Sequence, residues 1–359
     1  MAGSRADGDG FSDERPSRPS GSAGRFWLYA PYGALLLLAL AWSAGWLLIR
    51  DRAERELDRW LAREASVGRP WFCADRRIGG FPFRVALDCA SLSLERGDLR
   101  LSVGRTRAVV QVYQPRHVIA EVEGPLRFGD GRTVLDGDWR LVRGSFRLSA
   151  AGLGRASLDA EEPRLRVSGL SPEPLAVSAA RLSVHARPHA TRAAAEGAYD
   201  VAVRAAGAVV PGLDAFLGGA EPADIGADAV ATRLSGLGPG PLPGLVERWR
   251  GAGGQVELSP LAIVKGSRRL EARGALGLDD QRRPAGRLEV GAAGIEGMLG
   301  ALANRTAGAS AVLDMLGGRR EGERARTDGS RPLAALRLEG GRVLVGPVPL
   351  PGLRLQPIY

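Results

Sequence analysis

From Trp71 onward, apolar and polar residues alternate with a period of two, in short runs broken by Gly and Pro. Phe81, Phe83, Val85, Leu87 and Cys89 fall on one side of an extended segment, and Pro82, Arg84, Ala86 and Asp88 on the other. The same period recurs in Leu99/Leu101/Val103, Ala108/Val110/Val112, Phe146/Leu148, Leu165/Val167, Leu182/Val184, Tyr199/Val201/Val203, Val256/Leu258, Leu288/Val290 and Leu336/Leu338. The interleaved positions are mostly Arg, Ser, Glu, Asp or His. Such a pattern predicts antiparallel sheet with one dry and one wet face.

Helical spacing is confined to a few segments: Leu213 to Leu217, Pro241 to Arg250, and Ile295 to Leu316, the last ending at Gly317-Gly318 before a charged stretch read as a solvated loop. Gly and Pro crowd residues 236 to 244, so a subdomain seam is expected near 236–253. The predicted class is mainly β (α+β): an antiparallel, elongated or curved sheet with a few short helices, preceded by one transmembrane helix. The alternation by itself leaves two arrangements open, a groove with an open apolar face and a sheet closed by the 295–316 helix.

Ahead of the strands, Phe26 to Ile49 carries no charge over 24 positions. As a helix it is about 36 Å long, enough to cross a hydrocarbon core of roughly 30 Å. Ala39-Leu-Ala41 resembles a cleavage site, but the apolar run continues past it, so an uncleaved anchor over 25–50 is expected. Phe26 and Trp27 at one end, and Trp42, Trp46 and Ile49 at the other, fit interfacial positions. Residues 1–24 lack apolar periodicity and read as a disordered cytoplasmic tail. Residues 51–68 read as a juxtamembrane helix with Leu57, Trp60, Leu61 and Ala65 near one face, packing on its own domain or lying on the bilayer surface. Residues 69–359 form the β-rich domain.

Charge changes this picture little. The net charge is +9, yet the cations are almost all Arg, with Lys265 the only lysine, and they are interspersed with acids rather than clustered among stacking aromatics. Nucleic acid is therefore not the expected partner. A membrane, and its anionic head groups, fits better. Arg15, Arg18 and Arg25 before the anchor balance Arg50, Arg52, Arg55 and Arg59 after it, so the flanking charges do not orient it.

The chain holds two cysteines, Cys73 and Cys89. A bridge enclosing about 15 residues is worth about 3 kcal/mol in the chain-entropy model and persists in an oxidising compartment such as the periplasm. Two buried free thiols are the alternative. A simple hairpin turning at Gly79-Gly80 sets Cys73 opposite Ala86, so a bridge requires an irregular connection.

No catalytic constellation stands out. His117, His185 and His189 lack metal-ligand spacing, there is no GxSxG elbow, Walker loop or dinucleotide fingerprint, and the acid pairs Glu161-Glu162 and Asp279-Asp280 fall in turns. No metal, cofactor or catalytic residue is expected, and the chain is read as non-enzymatic.

The most distinctive string is Trp71-Phe-Cys73-Ala-Asp-Arg-Arg-Ile-Gly-Gly80-Phe81-Pro82-Phe83-Arg84-Val-Ala-Leu-Asp-Cys89. After a single anchor, it resembles the alphaproteobacterial family called domain of unknown function 2125, whose members carry a WxC…GFPFR…C arrangement behind an N-terminal membrane segment. Trp249-Arg-Gly-Ala-Gly-Gly254 and Gly341-Arg-Val-Leu-Val-Gly-Pro-Val-Pro-Leu350 agree with it. The resemblance implies an inner-membrane protein with the tail in the cytoplasm and the β domain in the periplasm, and it carries no catalytic residues. Within the string, Pro82 forces Phe81 to be extended, which reads as a strand start seating two core aromatics, with a ligand contact as the alternative. More distantly, an anchor followed by "strand, Gly, strand" units looks like the AsmA-type envelope proteins, whose β troughs handle lipid on a dry face. The expected role is envelope maintenance or lipid handling, with an envelope-protein scaffold as the alternative.

Overall fold

The computed structural model describes residues 23–150, 152–169, 173–219, 221–235, 242–294, 331–332, 335–345 and 348–358. It divides into Met1–Arg52 and Ala53–Tyr359. Helix α1 (Ala23–Ser66) contains the apolar run and, among the described residues, is the one helix long and apolar enough to cross a membrane. The expected tail falls outside the described residues except for Ala23 and Gly24, which begin α1. The last turns of α1 pack on the domain that follows. Trp60 stacks on Trp71 with ring centroids 6.5 Å apart, Arg76 pairs with Asp58 at 2.6 Å, and Arg69 pairs with Glu64 at 2.6 Å. These contacts, made by Asp58, Trp60 and Glu64, are those of a helix packing on its own domain.

From Trp71 the chain builds two sheets, A and B, in alternation. β1 (Trp71–Ala74) lies in A; β2 (Arg77–Gly79) and β3 (Arg84–Cys89) lie in B. β4 (Ser91–Arg96) and β5 (Leu99–Val103) return to A, then β6 (Thr106–Gln111) and β7 (Gln114–Val122) to B. β8 (Leu126–Gly129) and β9 (Val134–Asp138) are in A, β10 (Leu141–Ser149) and β11 (Gly152–Glu161) in B, and β12 (Arg164–Ser168) and β13 (Leu175–Ser178) in A. From β14 (Arg181–Pro188) the described chain stays in B. It runs through β15 (Tyr199–Ala208), β16 (Ala223–Ala231), β17 (Val256–Lys265), β18 (Arg268–Leu278), β19 (Pro284–Ala293), β20 (Arg331–Pro332), β21 (Leu336–Glu339), β22 (Arg342–Val345) and β23 (Val348–Arg354). The helices α2 (Ala193–Glu196), α3 (Pro211–Leu217) and α4 (Leu242–Gly251) sit in connections of this second half. Every strand pairing is antiparallel.

The expected helices at 213–217 and 241–250 are present as α3 and α4; the segments 295–316 and 319–330 lie outside the described residues. The stretch 236–253, read as a subdomain seam, joins β16 to β17, which are hydrogen-bonded neighbours in sheet B.

Register shows that A and B are two wings of one creased sheet. Leu92 faces Val103 in A and Cys89 faces Thr106 in B, so three steps back on one strand match three steps forward on its neighbour, straight through the boundary. Trp71↔Leu94 continues into Arg77↔Asp88 in the same way, as does Arg164↔Asp138 into Glu161↔Leu141. Hydrogen bonds bridge the crease, from Gly104 N–H to the Pro125 carbonyl, Glu123 to Arg105 and Arg140 to Glu161. One residue is gained between Val122 and Leu126, around Gly124-Pro125. At Gly104 a Cβ would run into the carbonyl of Gly124, so the strands can approach at this fold line only with glycine there.

Each wing has one apolar side, as the alternation predicts. In B the rows Val85, Leu87 and Cys89; Val118, Ala120 and Val122; Leu182 and Val184; Val201 and Val203 share a face. In A the face holds Trp71, Cys73, Leu92, Leu94, Leu101, Val103, Leu126, Phe128, Leu135, Leu165 and Val177.

Candidate functional site

The disulfide fixes which way the sheet is folded. Cys73 lies opposite Leu92, and Cys89 is three residues from Leu92; in a flat sheet their Cα atoms would stand about 10 Å apart along the strand direction. They are 5.3 Å apart and bridged. Both side chains lie on the apolar face, so the wings close toward that face and the apolar sides look at each other. The hairpin register expected from Gly79-Gly80 is not adopted: Gly79 faces Ala86, and beyond Asp75 the strand leaves B for A. That departure is the irregular connection the bridge needs.

Helix α3 gives an independent indication. Leu213 and Leu217 pack on Ile263, Leu270 and Ala292 of sheet B, while the preceding Val209 bridges to Ser178 at the edge of wing A. Wing A and α3 therefore stand on the same, apolar side of B. The result is a trough with wing A and then α3 as one wall. A recess of about 730 Å³ in wing A has the row Leu126, Gly137, Leu165 and Val177 in its lining, together with Val209 and Pro211. The Trp139 indole donates to the Val122 carbonyl at 2.9 Å and lies against Gly137, where a Cβ would meet the ring.

This lining is not sealed. Val85, Leu87, Val110, Val118, Leu158, Leu182, Val184, Val201 and Val203 are all only half-buried, and Phe146 and Leu148 are exposed. Among the described residues the only large side chains that are fully buried are Lys265 and Leu217. A closed sandwich of this many strands would bury many of its Val and Leu residues completely. Among the described residues this apolar face is therefore left half-exposed; the 295–316 segment, which the closed arrangement would place over it, lies outside them.

The opposite face of B is a ladder of cross-strand ion pairs: Arg107–Asp88, Arg143–Glu121, Arg181–Asp159, Arg187–Asp200 and Arg204–Asp228, at 2.7–3.4 Å. Pairs this exposed contribute about 0–1 kcal/mol each. Their main effect is to keep that side wet.

The histidines are dispersed along this sheet. His117 Nε2 meets Ser145 Oγ at 2.9 Å, His185 lies on the charged face, and His189 Nδ1 accepts from the backbone of Thr191 and Arg192. Among the described residues no three His, Cys, Asp or Glu side chains gather as a metal site.

Arg192 ties α2 to β17. Its guanidinium donates to both oxygens of Glu257 at 2.7 Å and to Glu196 at 2.7–3.1 Å. The hydrogen bonds from Arg192 hold Glu257 and Glu196 below their ordinary carboxylate value of 4.5. A carboxylate depressed in the folded state stabilises fully above its unfolded value and loses that contribution as pH falls through its folded value. The expected outcome is that stability to urea declines from about pH 4.5 downward, and that Arg192→Ala flattens this decline. Denaturation midpoints of both proteins across the acid range check it.

The residues singled out from sequence are placed as follows. Trp71 packs on Trp60, and Cys73 and Cys89 are joined. Gly80 has φ +105°, and a Cβ there would press on the Arg84 backbone, so the tip requires glycine. Phe81 and Phe83 do not seat in a core. They lie in the 80–83 turn before β3 begins at Arg84, at 56% and 58% exposure, because the segment from Gly80 to Phe83 is a turn and not extended strand. Arg84 is exposed, as expected. In α1, Trp27, Trp42 and Ile49 are exposed and Trp46 is buried; Phe26 lies within the helix. Trp249 donates to the Thr232 carbonyl at 2.7 Å with its ring where a Gly254 side chain would be, which accounts for the WRGAGG string. The crease and the buried Lys265 were not anticipated.

A family model described as an uncharacterized protein conserved in bacteria (DUF2125) matches residues 46–353. The chain belongs to that family. Searches of the curated proteins and of the solved structures find no match.

Proposed function

We propose that this member of the DUF2125 family is a single-pass inner-membrane protein whose periplasmic β domain holds lipid acyl chains in the apolar trough. The observation that carries the reading is the half-exposed apolar face spread over both wings, together with α1 as an anchor. Burying that much aliphatic surface in contact with an acyl chain is favourable by roughly 25 cal/mol per Å² removed from water. A disulfide at the crease fits an oxidising compartment. The trough is concave and aliphatic along many strands, which suits a flexible chain better than a folded protein face; this favours lipid over the scaffold alternative and supports the AsmA-like analogy.

The test is site-specific photocrosslinking in intact membranes, with a benzophenone amino acid at Leu158 or Val184 in the trough and at Ser183 on the charged face. Phospholipid adducts are expected at the first two positions and absent from Ser183. No adduct in the trough, or equal adducts on both faces, would sink the lipid reading. Val184→Asp should abolish adducts at Leu158 while leaving the fold intact, since position 184 is only half-buried. Reporter fusions at Tyr359 check the compartment, and activity of a cytoplasmic reporter would overturn it.

A further inference from the structure

We propose that the outer end of sheet B, away from the crease, is a rim that docks on the surface of an anionic bilayer; this rests on the lipid-trough reading and places the trough's mouth at a membrane. Consecutive hairpins β2–β3, β6–β7 and β10–β11 all turn at this end, and their order in the sheet makes the tips neighbours. The Val112 N–H donates to the Phe83 carbonyl at 2.9 Å, joining the first tip to the second.

Two independent features converge there. The first is aromatic and aliphatic exposure: Phe81, Phe83, Tyr113 (63% exposed) and Leu148 all project at the tips. Rings standing at the water boundary are the composition of a membrane interface, where an amphipathic side chain sits at the head-group level. The second is charge. Arg147 and Arg155 are direct cross-strand partners, both exposed, and neither has a carboxylate partner among the described residues. Like charges placed directly opposite destabilise a sheet. Elsewhere on the same face of B, arginines sit opposite or diagonal to acids and pair with them. Asp200, which lines the same recess as Arg155, is engaged by Arg187 at 3.1 Å. An uncompensated arginine pair next to exposed rings is complementary to lipid phosphates, which would occupy the positions that acids fill in the rest of the ladder.

The test uses the full-length protein with Tyr113→Cys as its one free thiol, since Cys73 and Cys89 are bridged. An environment-sensitive fluorophore at that thiol is read in phosphatidylcholine proteoliposomes with or without phosphatidylglycerol, and again after adding phosphatidylglycerol vesicles. Blue-shifted emission, quenched by brominated lipid, is expected only with phosphatidylglycerol; a label at Ser267→Cys, at the opposite end of the strands, should keep its water-like emission. Arg147→Gln with Arg155→Gln should weaken docking about 30-fold, from roughly fivefold per arginine. A Tyr113 label that stays in water under all these conditions, or docking unchanged in the double variant, would overturn the rim. Lipid adducts at Val184 with no docking would remove the rim and leave the trough reading standing. Docking without trough adducts would support the rim and remove the trough.

Discussion

Replacing Cys73 and Cys89 together with serine is expected to cost about 3 kcal/mol, the loop-closure value for a bridge of this span. The loss should be uneven. The bridge joins the first strand of wing A to wing B across the crease, so its absence lets wing A swing outward before sheet B itself opens. Hydrogen exchange should therefore rise first in β1 and β4, while β14 to β18 keep their protection. A urea midpoint lower than that of the wild-type protein in the same detergent checks the loss. Reduction of the unmodified chain should reproduce the serine variant. Equal midpoints would show that the crease is held by backbone pairing alone.

The second large effect is expected at Lys265. Its ammonium is 1% exposed and donates to Asp214 in α3 at 2.6 Å and to the Glu221 carbonyl. Asp214→Ala leaves that charge buried with one carbonyl for company and should cost about 3 kcal/mol. Lys265→Met should cost less than about 1 kcal/mol, because Met fills a similar volume and Asp214, itself 30% exposed, regains water. Adding Lys265→Met to Asp214→Ala should recover most of the loss. Denaturation of the four proteins closes the cycle, and additive costs would mean that the two side chains do not hold α3 to the sheet.

Much of this architecture is legible from alternation. Leu182/Val184, Tyr199/Val201/Val203 and Leu288/Val290 lie in strands as read, because a two-residue period with one wet side has few other solutions. The one-sidedness also pointed to the dry face that lines the trough. The crease was written in the same pattern but as a slip: apolar positions run Val85, Leu87, Cys89 and then Leu92, Leu94, and again Ala156, Leu158, Ala160 and then Leu165, Val167. A change of phase is easily taken for a new strand, when it marks one strand turning a corner. Phe81 and Phe83 were misplaced for a related reason. Two aromatics at even spacing look like a strand face, but the backbone at Gly80 turns before they can join one. Lys265 could not be anticipated, since its partner Asp214 is 51 residues away and their meeting depends on how α3 packs.

A single, sequestered lysine side chain also makes the chain its own gauge. Lys265 is the only lysine, and its ammonium is shielded from solvent. Acylating reagents should therefore leave that side chain untouched until α3 lifts from sheet B. The mass increment on the peptide carrying Lys265 then counts opening events one molecule at a time. Such a readout works in a native membrane and at neutral pH, without denaturant or detergent, and reports on the α3 end of the wall whose first strand the disulfide holds.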